Sequence, residues 1–82
     1  MSDTIIIRSL DKNSREKLRV ALDDYRGVRL LDLRVTVEMT ASSGIQAPTK
    51  KGVSCNVAML PELRQALADA EAMARSLGWL AE

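Results

Sequence analysis

A chain of 82 residues is long enough for one domain but near the size at which a lone core stabilises only marginally, so self-association is expected. It has no histidine and a single cysteine, Cys55, which excludes an intrachain disulfide and removes the usual groups of a zinc site or a histidine-dependent hydrolase. The net charge of +1 says little, but residues 1–55 hold ten Lys/Arg against seven Asp/Glu and residues 56–82 two against four, a basic front and an acidic tail.

No apolar run approaches the roughly 18 residues that span a bilayer, and the start lacks the basic flank and length of a signal peptide. A cytoplasmic protein is the expectation.

In chain order, residues 4–7, Thr-Ile-Ile-Ile, read either as a short edge strand or as a loosely held arm, because terminal segments are often poorly tied down. Residues 1–15 are accordingly set apart from a domain over 16–82, although Lys12 and Arg15 are within reach of a phosphate. Over 17–23 the pattern alternates, with Leu18, Val20 and Leu22 inward and Lys17, Arg19 and Ala21 outward, which predicts a half-buried strand. Residues 24–27 then turn the chain, and Gly27 supplies the positive φ of a hairpin loop of roughly three to five residues with a bulge.

The next strand is the longest. Leu31, Leu33, Val35, Val37 and Met39 fall on one side of a period-two pleat and Asp32, Arg34, Thr36 and Glu38 on the other, and the β-branched content favours a strand over a helix. The wet side carries Arg34, with Arg26 and Arg29 near the turn that feeds it. An antiparallel hairpin with the preceding strand puts Lys17 and Arg19 on the same outer face as Arg34. Residues 40–44, small and polar, predict a loop. Residues 45–47 predict a short third strand ended by Pro48, residues 49–52 a basic loop, and residues 53–57 a fourth strand with Val53, Cys55 and Val57 on one side.

Leu60, Leu63, Leu67, Ala70, Ala74 and Leu77 recur at spacings of three and four, predicting a helix with one apolar stripe. Asn56 suits the N-cap, Pro61 the first turn and Gly78 the stop, with Trp79 folded back on the last turn. The stripe reads as core sealing the sheet's apolar side, with part of it suited to a mate helix in a dimer.

Arg19-Val-Ala-Leu, Tyr25-Arg-Gly27, Leu31-Asp-Leu-Arg34 and Pro48-Thr-Lys-Lys-Gly-Val-Ser54, followed by a leucine-rich helix, resemble the Positive Cofactor Four family of single-stranded-DNA-binding transcriptional coactivators, its short bacterial members above all. The resemblance spans residues 15–77. It implies an α+β protein, a four-stranded antiparallel curved sheet followed by one C-terminal helix, assembled as a homodimer that binds unpaired nucleic acid; from the residues themselves, no cofactor, metal or catalytic residue is expected. Tyr25 and Arg26 match the family's aromatic and basic pair before the turn glycine, Arg34 the arginine of the second strand, and Lys50 and Lys51 the basic pair before the last strand. The chain departs from the pattern at Val28, where a basic residue is usual and Arg29 stands next to it, at Val37, where some members carry a tryptophan, and at Ala47, where some are basic.

The resulting candidate nucleic-acid-binding set is Lys17, Arg19, Tyr25, Arg26, Arg29, Arg34, Lys50 and Lys51. Tyr25 is the only aromatic residue in the sheet half, so phosphate contacts must dominate base stacking. Alternatives stand beside these roles: a solvated loop for Lys50-Lys51-Gly52, a cross-strand ion pair for Arg34 with an acid such as Asp23 or those near Asp32, and an inert thiol for Cys55. The alternative function is a protein-interaction module docking on transcription or replication machinery. A nuclease is a distant third, since Asp23, Asp24 and Asp32 are the only acids resembling a metal site. RNA binding beside DNA, and the choice among transcription, replication and repair, stay open.

Overall fold

The computed structural model describes residues 3–39 and 45–81. Strands β1 (Asp3–Asp11), β2 (Glu16–Tyr25), β3 (Val28–Glu38) and β4 (Gln46–Asn56) form one antiparallel sheet in the order β1-β2-β3-β4. A short 3-10 turn (Val57–Met59) leads into helix α1 (Leu60–Ser76).

The turns explain the meander. Asn13 Oδ1 accepts the backbone N–H groups of Arg15 and Glu16 at 3.0 and 2.9 Å, a side-chain turn that reverses the chain after β1. Between β2 and β3, Arg26 and Gly27 both take positive φ, 52° and 86°, and Tyr25 pairs directly with Val28. This is the two-residue turn whose twist suits a hairpin, not the longer bulged loop expected, and Asp24 Oδ1 holds it by accepting the Gly27 N–H at 3.0 Å. The expected loop over 40–44 lies outside the described residues.

The pairing fixes the faces. Lys17, Arg19 and Ala21 stand opposite Thr36, Arg34 and Asp32, while Leu18, Val20 and Leu22 stand opposite Val35, Leu33 and Leu31. The alternation expected along the long strand therefore holds, giving one polar and one apolar side.

Two further expectations fail. The predicted third strand, basic loop and fourth strand are one continuous strand, β4, in which residues 49–51 bulge opposite Val35 between the Arg34–Gly52 and Thr36–Pro48 pairs. The bulge persists because its backbone is bonded: Thr49 Oγ1 donates to the Val35 carbonyl at 2.8 Å and accepts the Lys51 N–H at 3.1 Å. Pro48 costs no ladder bond on this outer strand. The remaining strand of the four is β1, whose register with β2 slips between Ile6 and Arg8.

The second failure concerns the helix. Its C-terminal end is as expected, the Gly78 and Trp79 N–H groups donating to the Arg75 and Ala74 carbonyls at 3.0 and 2.8 Å around a positive-φ glycine, but Asn56 caps the 3-10 turn, its Oδ1 accepting the Ala58 N–H at 2.8 Å, and α1 itself starts after Met59 without a side-chain cap. Its apolar stripe, however, does not seal the sheet. No α1 residue is fully buried, and Leu67 is 61% exposed. The 3-10 turn carries the chain off the sheet, so only the first turns border it, leaving an open cavity of about 550 Å³ between Val20, Leu31 and Leu33 below and Leu60, Leu63 and Leu67 above. Among the described residues the buried apolar ones are Ala21, Leu31 and Val35. A radius of gyration of 15.0 Å, against about 12 Å for a compact domain of this length, reflects the same open arrangement.

Candidate nucleic-acid interface

The centre of the polar face is more buried than its composition suggests. Asp32 and Thr36 are only 4% and 3% exposed, because long side chains on neighbouring strands lie over them. Arg19 and Arg34 are direct cross-strand neighbours, and like charges so placed repel unless an acid lies between them. Asp32 is that acid: Arg34 Nη2 donates to its Oδ1 at 2.8 Å, Arg19 Nη2 to its Oδ2 at 3.4 Å, and Ser54 Oγ to Oδ1 at 2.7 Å. The expected ion pair of Arg34 therefore exists, but with the acid two residues back on its own strand, not across strands.

Burial opposes ionisation of Asp32, but the hydrogen bonds from Arg34 and Ser54, the charge of Arg34 and the bond from Arg19 outweigh it and hold the carboxyl below the usual aspartate range. In return the Asp32 hydrogen bond, acting against partial burial, raises the pKa of Arg34. Arg34 also reaches the β4 bulge, donating from Nη1 to the carbonyls of Thr49 and Lys50 at 3.4 and 3.3 Å. Two guanidinium groups sharing one carboxylate leave one positive charge at the centre of the face, held in a fixed geometry.

The other candidates surround this centre unequally. Lys17 is on the same face and pairs loosely with Asp11 at 3.7 Å. Tyr25 shares that side by register, is half exposed, and carries the Arg26 guanidinium 5.2 Å from its ring centroid, a flat cationic-aromatic platform at the hairpin tip. Lys50 is exposed and has no ion-pair partner among the described residues. Lys51 diverges from it, reaching Glu16 at 4.0 Å, and Glu16 is in register with Val37 on the apolar side. The Asn13 hydrogen bond, against slight desolvation and with the charges of Lys12 and Lys51, lowers the Glu16 pKa. Arg29 pairs with Asp24 at 3.9 Å and falls with it on the helix side. The face thus brings together Lys17, Arg19, Tyr25, Arg26 and Arg34, with Lys50 at its margin, and leaves Arg29 and Lys51 outside.

Gly52 serves packing between strands. A Cβ there would fall on the Leu33 carbonyl oxygen, inside contact distance, and 3.0 Å from both Cα and Cζ of Arg34, so β4 can approach β3 and the guanidinium only without a side chain. Three residues that organise the site, Asp32, Ser54 and Thr49, are absent from the sequence-based set. Asp32 had a legible signal, two residues before Arg34 on one face of a strand; Ser54 and Thr49 needed the register.

Cys55 is half-buried with a free thiol. Among the described residues no group of three acidic or thiol side chains converges on a metal position, and no helix is long and apolar enough to cross a membrane.

A four-stranded meander followed by one helix, with arginines paired over a buried aspartate, defines a small β-β-β-β-α protein with a cationic sheet face. Residues 12–66 match the Transcriptional Coactivator p15 (PC4) family, and the chain belongs to that family, whose members are non-enzymatic DNA-binding proteins of transcription-coactivator type. Two crystal forms of BPSL1147, a PC4 homolog from Burkholderia pseudomallei K96243, superpose well. The orthorhombic form gives a TM-score of 0.72 at 29% identity over 80% of this chain and 86% of that one; the tetragonal form gives 0.74 at 28% over 84% and 98%. A bacteriophage T5 homolog of the eukaryotic coactivator, implicated in recombination-dependent DNA replication, shares the fold at 18% identity, with a TM-score of 0.54 over 95% of this chain and 83% of that one. No curated protein matches the chain.

Proposed function

We propose that this protein binds single-stranded DNA as a homodimer, without catalysis, as a cytoplasmic cofactor of transcription, and that residues 16–82 form the binding domain. The observation that carries this reading is the Arg19–Arg34 pair held over Asp32, with Lys17, Lys50 and the Tyr25–Arg26 platform around it. Arg19 and Arg34 take phosphates at the centre, Lys17 and Lys50 neutralise the backbone on either side, and Tyr25 stacks one base. Arg29 and Lys51 touch only a strand that wraps the sheet's margin.

Geometry favours an unpaired strand. Four strands at about 4.8 Å spacing make a face at least about 14 Å wide, more than the roughly 12 Å of a major groove, so the face cannot enter a duplex but can lie along a separated strand. Support for the homodimer comes from surface left open. The chain exposes 6595 Å², about 1,700 Å² more than a compact protein of its mass, and the excess includes the helix stripe at Leu67, Met73 and Leu77. An interface of ordinary size covers about 800 Å² per partner. The same open cavity favours, as a second reading, docking on a transcription or replication protein.

Fluorescence anisotropy with a labelled oligonucleotide separates the two. Tighter binding of the single strand than of the same sequence as duplex is expected; equal affinities remove the single-strand preference, and no binding at low salt leaves the protein-docking reading. The lysines sharpen the test. Lys50→Ala should flatten the slope of log K against log salt by about 0.7, whereas Lys51→Ala, already turned towards Glu16, should change it little. Equal effects of the two would contradict this assignment of the bulge.

A further inference from the structure

We propose that the hairpin end of the cationic side reads bases and that Asp23 is its specificity-determining residue, selecting guanine, a role that rests on the single-strand reading above. Along that side the pairs Lys17–Thr36, Arg19–Arg34 and Ala21–Asp32 are followed by Asp23–Leu30 and Tyr25–Val28. Ile6 and Thr4 of β1 stand beside Ala21 and Asp23. The side changes character on the way to the β2–β3 turn. Arg19 and Arg34 converge on Asp32, and beyond it the surface is largely apolar: Tyr25 and Val28 are half exposed, Ile6 is exposed and Leu30 is half-buried. Phosphates belong on the first half and bases on the second.

Asp23 is the charged residue set into that second half. Its Oδ1 accepts the Thr4 hydroxyl, while its Oδ2 has no hydrogen-bond partner and the carboxylate no ion pair among the described residues. The side chain is half-buried, so it has given up part of its hydration without a protein donor to replace it, and a ligand donor there is favoured. Two residues along a strand advance about 6.8 Å. Asp23 therefore stands one pleat beyond the arginine-covered Asp32, and Tyr25 one pleat further. A nucleotide whose phosphate rests on Arg19 and Arg34 lays its base towards the turn, where the charge of Asp23 turns phosphate away and leaves a base on Tyr25, Val28 or Leu30 as the occupant.

An ionised carboxylate accepts hydrogen bonds and donates none, so it sorts bases by the donors on their pairing edges. Guanine alone offers two adjacent donors, N1–H and the N2 amino group, which match two carboxylate oxygens as a guanidinium does. Oδ1 can take one of them beside Thr4, because each oxygen has two lone pairs. Cytosine and adenine set a single amino group beside a ring acceptor, and thymine sets one N–H between two carbonyls. Those acceptors face the carboxylate and are repelled, thymine most of all.

Fluorescence anisotropy of the full chain at fixed low salt tests this with three labelled strands: oligothymidine, the same strand carrying isolated guanosines spaced by thymidines, and the same strand with inosines in their place. The guanosine strand should bind about tenfold tighter than oligothymidine, the scale of one bidentate base contact. Inosine lacks the N2 amino group, and its strand should lose most of that gain. Asp23→Asn keeps an oxygen for Thr4 but not the charge; shown by circular dichroism to be folded, it should tighten on oligothymidine and hold the guanosine and thymidine strands within about twofold of each other. Equal wild-type affinities for those two strands, or a guanosine preference that survives inosine or Asp23→Asn, would overturn the proposal and leave the single-strand reading intact. Binding of none of the strands removes that reading and this role with it.

Discussion

Replacing Asp32 by asparagine is expected to lower the unfolding free energy by about 2 kcal/mol. The side chain keeps its shape, so packing is conserved, but Arg19 and Arg34 lose the one charge that lets them sit opposite each other. A fully buried pair broken in this way costs more; here both arginines keep partial access to water, which reduces the penalty. Urea unfolding at fixed protein concentration measures it, and a loss below about 0.5 kcal/mol, the scale of an ordinary surface change, would show that the triad does not hold the sheet together.

The same group sets a pH dependence. The Asp32 pKa is lower folded than its ordinary value of 3.8, so the unfolded chain binds the proton more readily. Its contribution is present above that ordinary value and is lost as pH falls through the folded one. Stability of the wild type should therefore drop in acid more steeply than that of Asp32→Asn. Binding should respond in the opposite sense. Removing the carboxylate adds one unit of positive charge to the face, and affinity for a single strand at low salt should rise while folding suffers.

Gly52→Ala is expected to be at least as damaging, with a loss of about 3 kcal/mol from overpacking. The added methyl meets backbone, the Leu33 carbonyl, which cannot turn away, as well as Arg34 on either side of its side chain. Relief requires β4 to move off β3, and that movement withdraws the Thr49 and Lys50 carbonyls from Arg34. Denaturant unfolding together with amide exchange of β4 should show both effects. Wild-type stability with unchanged protection at Val53 and Cys55 would mean that the strands tolerate the wider spacing.

The parts of this architecture that were legible in the sequence are those set by local periodicity. Leu31-Asp-Leu-Arg34 declared its two faces, and the leucine stripe and Gly78 declared the helix and its C-terminal end, whereas Asn56 marked the 3-10 turn that precedes it. Pro48-Thr-Lys-Lys-Gly52 misled because proline, glycine and paired charges read as a loop, whereas the hydroxyl of Thr49 and the guanidinium of Arg34 satisfy a bulge within one strand. β1 was half legible because the slip at Ile7 breaks the alternation that would have continued the strand through Arg8 and Leu10. The stripe on α1 told which side is apolar but not what covers it, and the expectation that the chain's own sheet does so was wrong. Within the site, Lys50 and Lys51 look equivalent in sequence; only the register sends one towards Glu16.

The most direct measurement is an NMR titration of the folded chain with a short single-stranded oligonucleotide at low salt. Expected are amide and side-chain shift changes at Lys17, Arg19, Tyr25, Arg26, Arg34 and Lys50, with Val20, Leu33, Leu63 and Leu67 on the other side left nearly still. Changes centred on that apolar side, or none at all, would contradict a cationic sheet face that tracks an unpaired strand.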